Sequence, residues 1–479
     1  MFENATFCIT TFGCQMNKYD SERIAGMLEQ LGATPVSSNE EADLCIYMTC
    51  CVREKADERL LGQVKSMKNL PLRKGTPYPK RYVAIGGCIG QRDGEKLLKQ
   101  LRHVDVVFGT HNKEELPHLL ADAMETGARK AKVIEGRLEF NDDLPEDRET
   151  PWAAWLPISV GCNNFCTYCI VPYVRGREIS RPFEEVVNVA RRYVDEGVKE
   201  ITLLGQNVNS YGRDLYGHPR FAEVLDAVAE TGVDRLRFLT SHPKDLTDKV
   251  IERFAMHRNV MPALHLALQS GSDRILDQMN RCYTAERYLG LVSKLRKACP
   301  EIALSTDVIV GFPGETEEDF KATCDLVKEV GYSQVFTFIY SKRQGTPAAS
   351  MPDEVPRDVV QERFDRLVEI VQESAYRQNQ REAGKTVSVL VEGASKRDTS
   401  MLSGRSPRNQ TVHASIPHGM DIDRLKGTFV DVEVEEALTW YLKGRILDTP
   451  SVSNPGSISC PNGEDTSEKA RRILDNQVG

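Results

Sequence analysis

The sequence predicts an α/β protein with three folded parts: an N-terminal doubly wound domain, a central partial (β/α)6 barrel and a small C-terminal β-barrel. Its 479 residues exceed what a single hydrophobic core usually supports, so several domains are expected. Short apolar runs alternate with helical stretches as far as about residue 378, which is the pattern of parallel βα units. From residue 384 to 445, β-rich runs alternate with Gly, Ser, Pro and Asn, which is typical of a small barrel.

The N-terminal domain is predicted over residues 1–125, because apolar runs there are followed by helical periods. The runs are Ala5–Thr11, Asp43–Thr49, Arg81–Gly87 and Val104–Gly109. Helical periodicity over Asp20–Leu31 and Arg53–Lys68 completes the βαβ pattern. Residues 126–150 are mostly polar and turn acidic towards a proline, so we predict a linker there.

The central domain is predicted over residues 151–378, where helices separate six further strand-like runs. These runs are Leu156–Val160, Ile201–Leu204, Leu236–Thr240, Ala263–Leu268, Ser305–Val310 and Val335–Tyr340. Six units are too few for a closed eight-stranded barrel, so we expect a partial barrel with its site at the carboxyl ends of the strands. The small barrel follows over residues 379–446, and the polar tail 447–479 is predicted to be disordered.

Composition is typical of a soluble globular protein, with 40% hydrophobic and 28% charged residues. Because no apolar run approaches the ~20 residues that span a bilayer and the N-terminus lacks a basic signal region, we expect a cytoplasmic protein without membrane contact. The net charge of -8 argues against a surface that binds nucleic acid throughout, yet it allows a local basic groove. Thirteen cysteines are many for a reducing compartment, so metal or cluster binding is the first hypothesis and buried thiols are the alternative.

Three cysteines follow the first predicted barrel strand within one short segment. Cys162, Cys166 and Cys169 provide three thiolates, so one iron of a four-iron cluster would stay open to a small chelating ligand. A structural zinc site or a chance spacing is the alternative, and the lack of a fourth nearby ligand weakens the zinc interpretation.

The Cys-x3-Cys-x2-Cys spacing resembles that of the radical S-adenosylmethionine superfamily. The resemblance implies that the open iron binds S-adenosylmethionine, whose reductive cleavage yields a 5′-deoxyadenosyl radical. It also implies cofactor contacts near the later strand ends and the cysteine loop, and the matching residues here are Gly205, Gln206, Asn207, Gln269, Ser270, Asp307 and Arg181. Most of these residue types equally suit an ordinary strand-to-helix turn, and Arg181, like Arg175 and Arg177, equally suits RNA phosphates or acidic neighbours.

A second set of three cysteines, Cys14, Cys50 and Cys88, falls at the carboxyl ends of predicted parallel strands in the N-terminal domain. Neighbouring strands lie ~4.8 Å apart, so these three thiols converge in one crevice where a second cluster is able to bind. Cys51 is an alternative ligand to its neighbour Cys50, and core packing of the thiols is the alternative to a cluster.

The segment Thr11–Asn17, the central cysteine triplet and the β-rich C-terminal region together resemble the methylthiotransferase family, over residues 6–446. The resemblance implies two 4Fe-4S clusters, the auxiliary one held by Cys14, Cys50 and Cys88. It implies that the C-terminal barrel is a TRAM-like RNA-binding domain. It further implies sulfur insertion, in which one S-adenosylmethionine methylates the sulfur and a second provides the radical.

Several segments are similar to the branch of this family that acts on isopentenyl-modified adenosine next to the anticodon of tRNA. They are Leu203–Tyr211, Thr240–Pro243, Tyr340–Ala349 and Val391–Arg397. This branch usually has Ser in place of Cys51 and Gly in place of Cys282, and neither departure removes a matching cluster ligand. The alternatives are sister enzymes that act on threonylcarbamoyl-adenosine or on a ribosomal-protein aspartate, and a non-catalytic zinc-dependent RNA-binding protein.

RNA contacts are expected in the last domain, where Lys396, Arg397, Arg405 and Arg408 surround a Gly/Ser loop. A solvated basic loop is the alternative. The resemblance implies a tRNA anticodon loop as partner, with the target base flipped out. It also implies an electron donor such as flavodoxin or ferredoxin, and iron–sulfur assembly or carrier proteins. Because the target carbon has no acidic proton, the sequence assigns no general acid or base as a catalytic residue.

Overall fold

A computed structural model describes residues 2–51, 54–134, 140, 144–417 and 420–447 of the chain. The predicted tail lies outside the described residues beyond residue 447, as does much of the predicted linker. Within these residues the chain forms three parts in the predicted order: an α/β domain, a partial barrel and a closed β-barrel.

The N-terminal domain is an alternation of strands and helices. In chain order its elements are β1 (Thr6–Thr11), α1 (Gln15–Gln30), β2 (Thr34–Pro35), β3 (Leu44–Thr49), α2 (Glu54–Ser66), β4 (Tyr82–Gly87), α3 (Cys88–Asp93), α4 (Glu95–Gln100), β5 (Val106–Phe108), α5 (Leu116–Thr126) and β6 (Lys130–Lys132).

All strands of this domain run parallel in one sheet of order β2-β1-β3-β4-β5-β6. Leu28 of α1 and Leu120 of α5 pack in the core on one face of the sheet, and Leu60 of α2 and Leu97 of α4 pack in the core on the other. The predicted doubly wound arrangement is therefore confirmed. The prediction of a linker over residues 126–150 is wrong at β6, which pairs with β5 at the edge of the sheet. Its sequence Lys-Ala-Lys looks like a linker because an exposed edge strand is also polar.

The central domain contains the next set of elements. In chain order they are β7 (Ala153–Pro157), β8 (Ser159–Val160), α6 (Val171–Val174), β9 (Ile179–Ser180), α7 (Phe183–Asp195), β10 (Glu200–Leu204), α8 (Arg213–Tyr216), α9 (Phe221–Ala229), β11 (Arg235–Phe238), α10 (Asp248–Met256), β12 (Ala263–His265), α11 (Asp273–Gln278), α12 (Ala285–Ala298), β13 (Ala303–Val310), α13 (Glu317–Val330), β14 (Gln334–Ile339) and α14 (Arg357–Gln380).

Six parallel strands of the central domain form a curved wall in the order β7-β10-β11-β12-β13-β14. Parallel bridges from Leu236 to Val260 and from Ser241 to Leu266 join its two halves. The helices pack outside the wall around aliphatic residues such as Leu203 and Val308, both fully buried. The predicted six-unit partial barrel is thus confirmed, and its strand ends are available for a site.

The C-terminal part is a closed barrel of five strands in the order β15-β16-β17-β19-β18. Its elements are β15 (Thr386–Ala394), β16 (Met401–Arg405), β17 (Thr411–Ser415), α15 (Ile422–Leu425), β18 (Phe429–Ala437) and β19 (Tyr441–Ile446). Alternating side chains such as Val389, Leu402 and Leu442 fill its interior. The predicted small barrel is confirmed.

Two buried arginines attach this barrel to the central domain. The guanidinium of Arg235 donates to the carbonyls of Arg405 (2.8 Å) and Ser388 (3.0 Å), and that of Arg237 donates to the carbonyls of Ser406 and Pro407, both at 2.9 Å. Charge-assisted bonds of this kind are stronger than neutral ones, so these four bonds hold the two barrels in one relative orientation. No described helix is both long and apolar enough to cross a membrane.

Candidate functional site

The central cysteines lie on a loop at the carboxyl end of the barrel wall, between β8 and α6. Cys162 and Cys166 are buried and Cys169 is half-buried. Three other segments hold the loop: the Gly161 amide donates to Gln206 Oε1 at 2.6 Å, the Thr167 hydroxyl donates to the Gln278 carbonyl at 2.9 Å, and Lys244 Nζ contacts Asn164 Oδ1 at 2.6 Å. The structure therefore brings the three predicted central cysteines together on one fixed loop.

Burial dominates the electrostatics of these thiols. It raises the pKa of Cys162 to about 11 and that of Cys169 to about 12. One buried cation is nevertheless in contact with the group, since Arg281 Nη1 lies 3.5 Å from Cys166 Sγ. Sequence reasoning did not find this contact, because Arg281 is 115 positions from Cys166 and no local pattern connects them.

The N-terminal cysteines lie where predicted, at the carboxyl ends of adjacent strands. Cys14 precedes α1 directly after β1, Cys50 follows β3, and Cys88 begins α3 after β4. Cys14 is exposed, whereas Cys50 and Cys88 are buried. Residue Gly13 allows this convergence, because a Cβ at its positive φ of 113° would lie only 2.2 Å from the Cβ of Cys50.

Hydrogen bonds lower the pKa of two of these thiols. The pKa of Cys14 falls to about 5, chiefly through a hydrogen bond from Cys50 and further through the charge of Arg175. The pKa of Cys88 falls to about 6, chiefly through a hydrogen bond from Cys51 and again through Arg175. The pKa of Cys51 rises for the complementary reason, so Cys51 stays a thiol that donates to the Cys88 thiolate.

Neither cysteine group has the geometry of a single-ion site. No set of three or more His, Cys, Asp or Glu side chains within the described ranges is arranged to hold one metal ion. An iron–sulfur cluster separates its thiolate ligands more widely than one ion does, because each thiolate binds a different iron. Three thiolates on one loop or in one crevice therefore suit a cluster better than zinc.

Two of the predicted cofactor contacts have structural partners. Gln206 accepts from the cysteine loop, as described above. Asn207 Nδ2 donates to Asp245 Oδ2 at 2.7 Å, and Asn207 Oδ1 accepts from the His242 amide at 3.4 Å. Gly205, the third residue of this predicted segment, lies against Ser159, whose Oγ would be 2.7 Å from an added Cβ.

Four buried side chains next to these residues carry polar atoms that have no hydrogen-bond partner among the described residues. They are Ser159 Oγ, both amide atoms of Asn209, Ser241 Oγ and His242 Nε2, and their residues are 0–5% exposed. All four follow the carboxyl ends of β7, β10 or β11, the same end of the wall as the cysteine loop. Buried polar atoms are nearly always hydrogen-bonded in folded proteins, so this group indicates a polar ligand site.

The remaining predicted contacts lie on the β12 and β13 side of the barrel. Gln269 has a positive φ of 69°, and its backbone N–H donates to the backbone carbonyl of Asp307 at 2.8 Å. Ser270 Oγ accepts from the Ser272 amide at 3.2 Å. The carboxylate of Asp307 lies 3.1 Å from His265 Nε2 inside the barrel. The side chains of Ser270 and Asp307 are thus already engaged within the fold, whereas Gln269 is bonded through its backbone.

Arg181 is buried at the junction of the barrel with the N-terminal domain. Its guanidinium lies 4.6 Å from the ring centroid of Phe140, and it lines a small cavity together with Asp20 and Arg175. Arg175 itself extends into the N-terminal domain, where Nη2 donates to Asn17 Oδ1 at 2.9 Å. Arg177 stacks over Phe165 of the cysteine loop, with 4.3 Å between the guanidinium and the ring centroid.

The predicted RNA contacts differ in exposure. Lys396 and Arg397 are exposed, and Arg405 is half-buried beside Glu392 at 3.3 Å. Arg408 is buried in an ion pair with Glu382, so its guanidinium does not face solvent. A cavity of about 130 Å³ opens next to Arg405 between the two barrels, and the 53% exposed Trp440 lines it.

Comparison with known families matches each part of the chain. Residues 156–327 match the radical SAM superfamily, residues 6–109 match the uncharacterized protein family UPF0004, and residues 380–447 match the TRAM domain. Among solved structures, the radical S-adenosylmethionine methyltransferase TsrM from Kitasatospora setae has a similar fold, with a TM-score of 0.52 at 13% identity. The match covers 72% of this chain and 77% of that one.

Curated relatives are similar over most of their length. The tRNA-2-methylthio-N(6)-dimethylallyladenosine synthase of Acidothermus cellulolyticus is 48% identical over 85% of this chain and 82% of its own. Those of Carboxydothermus hydrogenoformans and Clostridium tetani are 46% and 45% identical, each over 92% of this chain and over 99% and 96% of their own. The chain therefore belongs to the radical S-adenosylmethionine family of tRNA-2-methylthio-N(6)-dimethylallyladenosine synthases.

Proposed function

We propose that the protein converts N6-dimethylallyladenosine, at position 37 next to the anticodon of tRNA, to its 2-methylthio derivative. The single observation that supports this most is that two cysteine triads on different domains adjoin one junction. Arg175 follows Cys169 of the central triad by six positions, and it extends to Asn17 of the N-terminal domain, where its charge lowers the pKa of Cys14 and Cys88. Sulfur insertion at one base needs two cluster sites close together, and the relatives at 45–48% identity have this activity in their names.

The residues of the central site fit a 4Fe-4S cluster with one open iron, for which we assign Cys162, Cys166 and Cys169 as ligands. The unpartnered groups of Asn209, Ser241 and His242, together with Ser159, fit S-adenosylmethionine, whose amino-acid and ribose parts offer both donors and acceptors. The previously predicted Gly205, Gln206, Asn207, Gln269, Ser270, Asp307 and Arg181 then hold the walls of this pocket in place. When bound, the cluster and the cofactor supply radical chemistry that opens an unactivated C–H bond.

The residues of the N-terminal site fit a second 4Fe-4S cluster, with Cys14, Cys50 and Cys88 as ligands. Thiolates are the form that binds iron, and the lowered pKa values of Cys14 and Cys88 favour that form at neutral pH. Cys50 and Cys51 both donate to a neighbouring cysteine, so we propose Cys50 as the third ligand because it directly follows β3, as Cys88 follows β4.

The chain itself excludes water from the central site. Tyr168 of the cysteine loop packs with Ile309 of β13 and Tyr340 against a buried apolar cluster that includes Phe312. Such packing protects reactive species from solvent. The target base reaches this region only when it is flipped out of the anticodon loop, as enzymes that modify bases require.

For the RNA we propose phosphate contacts by Lys396, Arg397 and Arg405 of the C-terminal barrel, since these side chains reach solvent. We omit Arg408 because of its buried ion pair with Glu382. We further propose a cytoplasmic protein in which the N-terminal domain extends beyond 1–125 to include β6, followed by domains at 151–378 and 379–446. Its proposed partners are a flavodoxin or ferredoxin as electron donor and iron–sulfur carrier proteins.

The test is anaerobic reconstitution followed by parallel assays on dimethylallylated and unmodified tRNA, with nucleosides identified by mass spectrometry. We expect the 2-methylthio product on the dimethylallylated tRNA alone. A Cys166→Ala variant, which lacks one proposed ligand of the central site, is the matched control. Any 2-methylthio product that it forms does not depend on that site. Product on tRNA containing threonylcarbamoyl-adenosine, with none on the dimethylallylated tRNA, would contradict the proposal.

A further inference from the structure

We propose that Arg175 and Arg281 are dedicated counter-ions of the two cysteine sites, each making the cluster at its own site easier to reduce. The inference rests on the proposed function, which assigns one cluster to each triad. It concerns two side chains that no cluster-ligand pattern includes and that approach the triads from elsewhere in the fold.

Arg281 is the buried cation of the central site. It is 4% exposed and its Nη1 lies 3.5 Å from Cys166 Sγ. Within the described residues its other hydrogen bonds go to the Ala267 carbonyl and the Tyr283 hydroxyl. As long as the Cys166 thiol and the Tyr283 hydroxyl are protonated, none of these three partners carries a negative charge that could balance Arg281.

A guanidinium stays protonated in proteins, and burying a charge without a counter-charge is strongly unfavourable. The position of Arg281 is therefore stabilised fully only when the cysteine site is negative. Thiolates that hold a cluster provide that charge, which makes Arg281 a side chain adapted to the loaded site.

Arg175 has the corresponding place at the N-terminal site. It is also 4% exposed, it donates to Asn17 Oδ1 at 2.9 Å, and its charge lies close enough to Cys14 and Cys88 to lower the pKa of both thiols. Asp20 lies 3.9 Å away, but its carboxylate already pairs with Lys113 at 3.0 Å. Because Asp20 is shared by Lys113 and Arg175, it neutralises only one of these two cations. The remaining positive charge lies beside the N-terminal cysteines, whose thiolates balance it.

The positive charges of Arg175 and Arg281 affect how easily a cluster at each site is reduced. One-electron reduction by an external low-potential donor adds one negative charge to a cluster without breaking a bond. Inside a protein the attraction of a nearby cation is much stronger than in water, and hydrogen bonds to the sulfurs help to set cluster potentials. Each arginine would therefore stabilise the reduced form of a cluster held by the cysteines of its own site.

The experiment uses two full-length proteins that each keep one site. Replacing Cys14, Cys50 and Cys88 with Ala leaves the central site, and replacing Cys162, Cys166 and Cys169 with Ala leaves the N-terminal site. Midpoint potentials are measured in each by potentiometric titration followed by electron paramagnetic resonance. Arg175→Gln, Arg175→Lys, Arg281→Gln and Arg281→Lys are introduced into both proteins.

We expect Arg281→Gln to move the central potential to more negative values and Arg175→Gln to do so at the N-terminal site. The Lys variants keep the charge but lose the forked donor geometry, so their shifts are smaller. Each arginine variant leaves the other site unchanged, which makes the two series controls for each other. Arg235→Lys, at the buried junction with the C-terminal barrel, is a further control that shifts neither potential.

An unshifted midpoint in the matched variant, or equal shifts at both sites, would overturn the inference. If a Gln variant fails to hold iron, the Lys variant at the same position decides. If that variant also fails while Arg235→Lys loads normally, the arginine is required for assembly and the redox role is rejected. Iron analysis separates this from the proposed function: fewer than about four irons in a single-site protein with both arginines intact refutes the cluster assignment itself.

Discussion

The two cysteine triads bring their thiols together by different structural routes. The central triad lies on one loop, within residues 162–169, whereas the N-terminal triad assembles from three strand ends between residues 14 and 88. A loop brings its own thiols together over a short length of chain, while separate strand ends converge only after the parallel sheet has formed. The N-terminal site therefore depends more strongly on the stability of its domain.

The thiols of the two sites also differ in acidity. Burial raises the pKa of Cys162 and Cys169, whereas hydrogen bonds from neighbouring cysteines lower that of Cys14 and Cys88. Without metal, Cys14 and Cys88 thus favour the thiolate form, and Cys50 and Cys51 donate hydrogen bonds to them. The central thiols must lose their protons as iron binds.

The largest expected effect comes from removing a central ligand. Cys166→Ala should lower both S-adenosylmethionine cleavage and methylthiolation by more than about 100-fold, since even residues that only support metal ligands are worth roughly 10–100-fold. Cleavage is measured as 5′-deoxyadenosine formed per chain under anaerobic conditions. Cys299→Ala, at a partly buried cysteine packed on the barrel core, is the control and should retain activity.

Removing an N-terminal ligand tests the division of labour between the sites. Cys88→Ala should abolish methylthio product while 5′-deoxyadenosine formation stays within about twofold, because the central loop is intact. Both products are quantified from the same reaction. Equal loss of cleavage in Cys88→Ala and Cys166→Ala would contradict two separate roles.

A smaller effect is expected at the unpartnered amide of Asn209. If it contacts S-adenosylmethionine, Asn209→Ala should weaken cofactor binding by about 1–2 kcal/mol, or roughly 5–30-fold, the cost of a lost hydrogen bond in a buried site. Equilibrium dialysis of the reconstituted protein measures this. Asn188→Ala, at an outward-facing position of α7, is the control, and unchanged affinity in Asn209→Ala would exclude the contact.

Stability of the N-terminal domain should depend on pH through Glu22 of α1. Burial, with a further contribution from Glu146, raises the pKa of Glu22 to about 8. Because the folded-state pKa lies above the ordinary value, the stabilisation is complete at pH below about 4.5 and is lost as pH rises through 8. Between pH 5.5 and 8.5 the wild type should lose about 1–3 kcal/mol relative to Glu22→Gln.

Thermal melting of both proteins at these two pH values checks the expectation. Glu58→Gln, at an exposed position of α2, is the control and should melt in parallel with the wild type. Parallel pH profiles of Glu22→Gln and the wild type would show that Glu22 is ionised in the folded protein at neutral pH.

The smallest effect is expected in the C-terminal barrel. Lys396→Ala and Arg397→Ala should each weaken tRNA binding severalfold and reduce the slope of log affinity against log salt by roughly 1, as for a lost phosphate contact. Fluorescence anisotropy over a salt series measures the slope. Arg424→Ala, which removes an equally exposed cation from α15, should leave it unchanged.

Local pattern was sufficient to predict much of the molecule. Alternating βα units predicted the order of the three parts, and the strand-end rule predicted that Cys14, Cys50 and Cys88 would converge. These features depend on short segments whose periodicity and spacing are visible in the sequence. The same is true of the central cysteine loop.

Long-range partners could not be predicted in this way. Arg281 contacts Cys166 across 115 positions, and Arg408 is buried by Glu382 of the segment after α14 although its Gly/Ser surroundings suggested an exposed loop. Asn207 was predicted to contact the cofactor by resemblance, whereas Asn209 was not named as a contact. Only the fold shows that Asn207 is already bonded to Asp245.

The burial of Arg175 limits how the enzyme can open. Its side chain, and the 3.0 Å hydrogen bond from the Thr110 hydroxyl to the Val174 carbonyl, fasten the barrel to the N-terminal domain. Swinging these domains apart would expose that guanidinium and leave Asn17 without its donor. If the anticodon loop of a tRNA binds beside this junction, we expect the loop rather than the two domains to change shape.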